Sequence, residues 1–354
     1  MTDWNNKEEV LEAVREDGSK LKRASKELRA DKKTVLVAVN ENGYALEHAS
    51  EKLQGDREVV LAAVNDWGHV LKYASKELQA DKEVVIAAVE QDGDALEYAS
   101  EALRTDREFL LPIVKKNGSI LQYVSDELQA DKEVALVAVK QSSYALEYAS
   151  EELRADKEVV IIAVENGYAL EYANKELRAD KEVVLAAVKD SGYALEYASE
   201  KLRGDREVVL AAVKKSGGAH QYASDELKND KVVVLTAVKD GTSIILKYTD
   251  PSLLSDKEFV LSVIFYAGSA LEHVHKKLQG DKEVVSMAVN DNGDNIKFAE
   301  ESLRADKEIV LIAVENNGGA LQYASEALKR DKSIVNAAIK NDSPAKNWET
   351  KRYC

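Results

Sequence analysis

An Asp followed by Lys or Arg returns along this chain at Asp31, Asp56, Asp81, Asp106, Asp131, Asp156, Asp180, Asp205, Asp230, Asp256, Asp281, Asp306 and Asp331. The interval is 25 residues, except 24 after Asp156 and 26 after Asp230. Asn6 stands in the same place one period earlier, so the 354 residues hold fourteen units, of which the last is partial. A fixed period of this size overrides the prior of two or three separate globular domains, because stacked units share one continuous core.

Within a unit, position 1 is the Asp, whose short carboxylate accepts from the free amides of a following helical turn, an N-cap. Lys or Arg follows, usually then Glu, and then an apolar run such as Val84-Val85-Ile86-Ala87-Ala88-Val89. Six apolar residues in succession leave that turn no polar face, so neighbours are expected to cover it on most sides. Position 13 is glycine in eleven units (Gly18, Gly43, Gly68, Gly93, Gly118, Gly167, Gly192, Gly217, Gly268, Gly293 and Gly318), as a left-handed helix end favours. A second helix is expected next, with Ala, Leu, Tyr and Ala at positions 15, 16, 18 and 19 facing the core and Glu or Lys at 17 outside. Position 20 is usually Ser, and Asp250-Pro251 in its place reads as a cap with the first helical residue, so a short extra turn precedes the next Asp. Neither helix reaches the ~12–15 residues at which an isolated helix becomes marginal, so stability has to come from contacts between units.

The expected fold is therefore all-α: an α-solenoid of about fourteen 25-residue two-helix repeats, elongated or superhelical. Residues 1–30 form an N-terminal capping repeat, 31–330 a twelve-repeat body, and 331–354 a partial repeat and tail. Glu9 and Glu12 replace Val and Ala in the first unit, and Asn336 replaces Leu in the last. Such polar substitutions are what the ends of a stack need. Pro112 inside the first helix of its unit is expected to bend it locally. The tail after Asn341, with Pro344, Trp348 and Tyr353, either docks back or projects.

The unit Asp-Lys-Glu-Val-Val-x-Ala-Ala-Val, then Gly, then Ala-Leu-Glu-Tyr-Ala-Ser-x-x-Leu, resembles the repeat family called domain of unknown function 4116. The resemblance covers roughly residues 6 to 341 and departs most around Ile244 to Tyr266. It implies short tandem helical repeats and carries no catalytic residues.

Composition narrows the function classes. A net charge of −15 argues against broad binding to nucleic acid or anionic lipid, which needs a cationic surface. The N-terminal stretch MTDWNNKEEV lacks a signal-peptide pattern, and the most apolar stretch, 259–271, is too short to span a bilayer. A cytoplasmic or organelle-interior protein, not secreted and not inserted in a membrane, is expected. The single Cys354 allows no intrachain disulfide.

No residue pattern points to catalysis, to a metal or to a cofactor. His48 and His273 fall at position 18 beside the Tyr column Tyr73, Tyr98, Tyr123, Tyr148, Tyr172, Tyr197, Tyr222, Tyr248 and Tyr323, and read as ring-for-ring replacements in a structural ladder. His220 takes the Leu of position 16, and His273 and His275 are two residues apart, so they do not share a helix face. The recurrent serines have no recurrent His or acid partner, and the glycines sit singly. The basic column at position 2 lies beside acids, which suits ion-pair ladders better than a polyanion track.

What remains are positions where a unit breaks its own rule, and repeat proteins bind through such positions. Tyr144, Tyr168 and Tyr193 occupy variable position 14 in three successive units, either as partner anchors or as shields over the hairpin turn. Leu254, at a place otherwise Arg, Lys or Gln, Phe265, where other units carry polar residues, and Ile244 with Ile245 in an inserted turn form a second candidate, as an exposed patch or as repacking around the insertion. The expected function is a non-enzymatic interaction or assembly scaffold for a protein or peptide partner. A fixed structural subunit of a large complex and an enzyme's regulatory arm are the alternatives.

Overall fold

The computed structural model describes residues 2–165, 168–239 and 241–341. Gly167 and the tail residues Pro344, Trp348, Tyr353 and Cys354 lie outside the described residues. The chain groups into two bodies, Met1–Leu177 and Arg178–Cys354. Each is a stack of the same unit, and all regular elements among the described residues are helical. The chain is an all-α solenoid.

The unit that begins at Asp81 is representative. Asp81 Oδ1 accepts the amides of Glu83 and Val84 at 3.0 Å each, and the long helix Lys82–Gln91 follows. Val84, Val85, Ala88 and Val89 are buried, whereas Ile86 is exposed and Ala87 half-buried. The apolar run is thus covered along one stripe, not on most sides as its composition suggested. The helix ends on Asp92, whose backbone is extended (φ −148, ψ 113) and whose carboxylate accepts the Asp94 amide at 3.0 Å.

None of the position-13 glycines among the described residues is left-handed. Among the described residues the one positive φ belongs to Gly241 (φ 85). The glycine of position 13 answers a steric demand instead. A Cβ on Gly43 would lie 2.5 Å from the carbonyl oxygen of Ala63 in the next unit, and Gly18, Gly68, Gly118 and Gly293 meet the corresponding alanine carbonyl in the same way. Glycine lets two backbones approach closely.

The second helix is a 3₁₀ segment, Gly93–Tyr98 in this unit. With three residues per turn, positions 14 and 17 eclipse each other on one side. Positions 15 and 16 are buried, here Ala95 and Leu96, and position 18 is half-buried. The extra turn is a four-residue helix, Glu101–Arg104, holding the buried Leu103.

Two sets of bonds tie one unit to the next, and a third closes each unit on itself. The position-20 amide donates to the position-24 carbonyl of the preceding unit: Ser50 to Arg29 (2.9 Å), Ser100 to Gln79 (2.8 Å) and Ser150 to Gln129 (3.0 Å) in the first body, Ser199 to Arg178 and Ser224 to Arg203 (2.9 Å each) in the second. The position-2 cation reaches forward to the acids of the following unit. Lys32 pairs with Asp56 and Glu58, Lys132 with Asp156 and Glu158, and Lys257 with Asp281 and Glu283, each at 2.8 Å. Finally, Gln54, Gln79 and Gln129 at position 24 fold back onto the position-16 carbonyl of their own unit at 3.1 Å.

At the ends of the array Glu9, Glu12 and Asn336 are exposed, as polar end positions should be. The helix Arg107–Lys116 keeps its full ten residues through Pro112, which sits on its exposed side. The unit from Asp230 departs most. Its long helix, Lys231–Ala237, has seven residues, and Val232 replaces the usual Glu. The extra residue is taken up around Gly241, so Ile244 falls in the position-14 register and Ile245 at position 15. Ile245 is therefore core, 1 % exposed, and not part of an outward patch. Leu254 is also core, at 5 % exposure, because position 24 lies against its own unit. Both candidate assignments are corrected by the way the chain turns inward at these positions.

Candidate functional site

The outward face of the 3₁₀ segments gathers the variable residues. Tyr144 and Tyr193 are 51 and 43 % exposed on their segments, Tyr168 is 50 % exposed just before the shorter segment Leu170–Tyr172, and Ile244 is 53 % exposed in the same register. Because position 17 eclipses position 14, Tyr144 shares its side of the segment with Glu147, and Tyr193 shares its own with Glu196. The α-helical reading of the sequence missed this pairing.

Position-14 rings pack on the position-18 ring of the next unit. Tyr144 meets Tyr172 with centroids 6.5 Å apart, Tyr193 meets Tyr222 at 6.5 Å, and His69 meets Tyr98 at 5.2 Å, all edge to face. Such pairs contribute ~0.5–1.5 kcal/mol beyond area burial. The aromatic order is thus an interleaving of two columns, not a ladder of one.

Burial, then the negative charge of Glu171 and Glu147, pushes the Tyr172 phenol up to about 12. Burial and Glu147 likewise raise Tyr148, and burial and Glu97 raise Tyr98. Position 18 therefore carries neutral phenols beside carboxylates. Where position 17 is Lys, the ammonium sits over the adjacent ring: Lys72 on Tyr73 at 4.9 Å, Lys247 on Tyr248 at 4.8 Å and Lys297 on Phe298 at 4.7 Å.

In the second body, Phe265 is 72 % exposed and packs against Tyr266 at 5.2 Å, and Lys239 lies 5.8 Å over the Tyr266 ring. Phe265 and Ile244 are thus the outward members of the second candidate set, and Leu254 and Ile245 are not.

Histidine serves the frame. His48 and His273 are half-buried in the position-18 column, and His275 Nδ1 accepts the Lys277 amide at 3.2 Å. His220 is fully buried, and burial lowers its pKa. Among the described residues no group of three or more His, Cys, Asp or Glu is placed to hold a metal ion. None of the helices there is long and apolar enough to cross a membrane.

The family model "Domain of unknown function (DUF4116)" matches residues 6–54, 56–104, 106–154, 156–203, 205–254, 256–304 and 306–345. Each match spans two of the 25-residue units. The chain belongs to this family. No curated protein and no solved structure matches it.

Proposed function

We propose that the chain is a non-enzymatic interaction scaffold that presents its variable 3₁₀ face to a protein or peptide partner. One observation carries this reading: the apolar residues that repeat are buried, while position 14, half-buried or exposed, and the mostly exposed position 17 change from unit to unit. A frame held constant beneath a varied surface is how repeat arrays encode partners. The net charge of −15 favours a partner other than nucleic acid or anionic lipid. Work in the cytoplasm or an organelle interior, without cofactor, fits the same composition.

The test is affinity capture from native lysate with the full chain, followed by Tyr144→Ser and Phe265→Lys variants checked for unchanged helicity. A stoichiometric protein partner that one variant loses supports the scaffold. Capture of no stoichiometric partner, or capture indifferent to every frame-sparing substitution, overturns it.

A further inference from the structure

The lysines of position 17 show what this face accepts. In all three units that place Lys before a position-18 aromatic, at Lys72, Lys247 and Lys297, the ammonium lies within 5 Å of that ring centroid. Glu97, Glu147 and Glu171 stand at the same position in the first body, beside Tyr98, Tyr148 and Tyr172. No cationic side chain among the described residues pairs with these three glutamates. That contrasts with the acids at positions 1 and 3, which the forward-reaching cations neutralise. Among the described residues no ammonium lies over the rings of Tyr98, Tyr148 or Tyr172, and only Tyr98 has a cation of its own chain nearby, Lys72 of the preceding unit. The nearest charge is instead a carboxylate suited to hold one.

Resting on the scaffold reading above, we propose that this face of the first body binds an extended basic segment of a partner, each Lys or Arg stacking on a position-18 tyrosine beside the position-17 carboxylate. Cation–π contact and an ion pair would then act on one side chain. Spacing adds a constraint. Stacked helix layers lie ~8–10 Å apart. A polyproline-type strand advances ~3.1 Å per residue with three residues per turn, so it offers one side chain on the same side every ~9 Å. Over the four successive units that begin at Asp81, Asp106, Asp131 and Asp156, the matching ligand carries a basic residue at every third position, the second meeting Tyr123 beside Gln122 in place of a carboxylate.

The probes are fluorescent twelve-residue peptides with Lys at every third position and Gly, Ser or Pro between. Controls have the same composition with contiguous lysines, or with Glu for Lys. Anisotropy titration of the full chain is expected to favour the spaced peptide at least tenfold over both, with weakening at high salt. The variant Glu97→Lys/Glu147→Lys/Glu171→Lys supplies the cations in cis, as Lys72 already does, so it retains the fold and loses the peptide at least tenfold. A variant of matched charge, Glu41→Lys/Glu152→Lys/Glu165→Lys, loses less than threefold. Equal loss in the two variants, equal binding of contiguous and spaced lysines, or no binding overturns the proposal. Lysate capture with the first variant separates the two readings: partners retained in full leave the scaffold standing and remove this face, whereas no partner for the wild type removes both.

Discussion

His220 Nε2 lies 3.0 Å from the carbonyl oxygen of Lys228, eight residues on in the same unit. Elsewhere that carbonyl receives the position-20 amide of the following unit, but here the Asp250 amide donates to Asn229 Oδ1 at 2.6 Å instead. The histidine therefore satisfies an acceptor that the shifted register of the next unit leaves behind. Because a carbonyl only accepts, Nε2 carries the hydrogen, and burial disfavours a second proton on the ring. Burial holds the His220 pKa below its ordinary 6.5.

The sign of the pH effect follows. Above about 6.5 both folded and unfolded chains hold a neutral ring, and the stability is intact. As pH falls through that value the unfolded chain takes up a proton first, so stability declines until the folded ring also titrates. Thermal melts between pH 7.5 and 5.5 should show a downward slope that His220→Leu flattens. An unchanged slope in the variant would remove this role.

Position 13 makes a sharper test of packing. Gly43→Ala drives a methyl against the Ala63 carbonyl oxygen, and the expected loss is ~1–3 kcal/mol, the usual range for overpacking. Gly55 has a negative φ (φ −99, ψ 4) close to that of Ala30 at the equivalent position, and a Cβ there meets nothing nearer than 3.6 Å. Gly55→Ala should be neutral or stabilise by up to ~1 kcal/mol through the unfolded chain. Urea melts of both variants decide it, and equal effects would mean that the close approach is not made.

The aspartate of position 1 does two things at once. Asp156 accepts the Glu158 and Val159 amides at 3.0 and 3.2 Å while pairing with Lys132 at 2.8 Å. Asp156→Ala should cost ~1–2 kcal/mol as a lost cap, whereas Asp156→Asn keeps the cap, as Asn6 does naturally. The Lys132 ammonium, more than the amides, holds the Asp156 carboxyl below its ordinary 3.8 against the opposing pull of burial. A depressed carboxylate stabilises above its unfolded value and ceases to as pH falls below it, so acid unfolding should steepen under pH ~4. A flat profile there would show the ladder to contribute little.

Tyr148 tests how far position 18 belongs to the core. A fully buried ring would lose the ~3–5 kcal/mol typical of Phe or Trp truncation. Tyr148 is half-buried, so Tyr148→Ala should lose ~1–2 kcal/mol and Tyr148→Phe almost nothing. Denaturant midpoints outside that ordering would move the column to the surface or into the interior.

The period, the caps and the buried columns were legible because each is a local rule repeated many times. Asp at position 1 caps a helix wherever it recurs, and Val-Val-x-x-Ala-Val buries four residues per unit. The 3₁₀ geometry of Gly93–Tyr98 was not legible, since Ala-Leu-Glu-Tyr suits an α-helix equally well and only packing decides. The role of Gly43 depends on a carbonyl twenty residues away, which no local pattern reveals. Leu254 misled for a related reason. A site filled elsewhere by Arg or Gln looks exposed, yet those long side chains are folded inward, with the Nε of Arg104 and Arg154 buried.

The irregular unit should also be where the second body opens first. Its long helix is shorter than its neighbours, Arg206 of the preceding unit finds only Asp230 as acid partner in it because Val232 replaces the Glu, and its interunit amide bond runs to a side chain. The shortened helix and the displaced amide bond each remove a restraint that the regular units keep. Local opening free energies track the density of such restraints, and one lost buried hydrogen bond changes them by ~1–3 kcal/mol. Hydrogen exchange across 244–254 is therefore expected to run roughly 5- to 100-fold faster than across the equivalent 218–228, at ~1.4 kcal/mol per factor of ten. Asn229→Ala should accelerate it further while leaving 307–324 unchanged, because the Asp250 amide would lose its acceptor. Equal protection in the two segments would show that His220 and Asn229 restore the full strength of the regular joint.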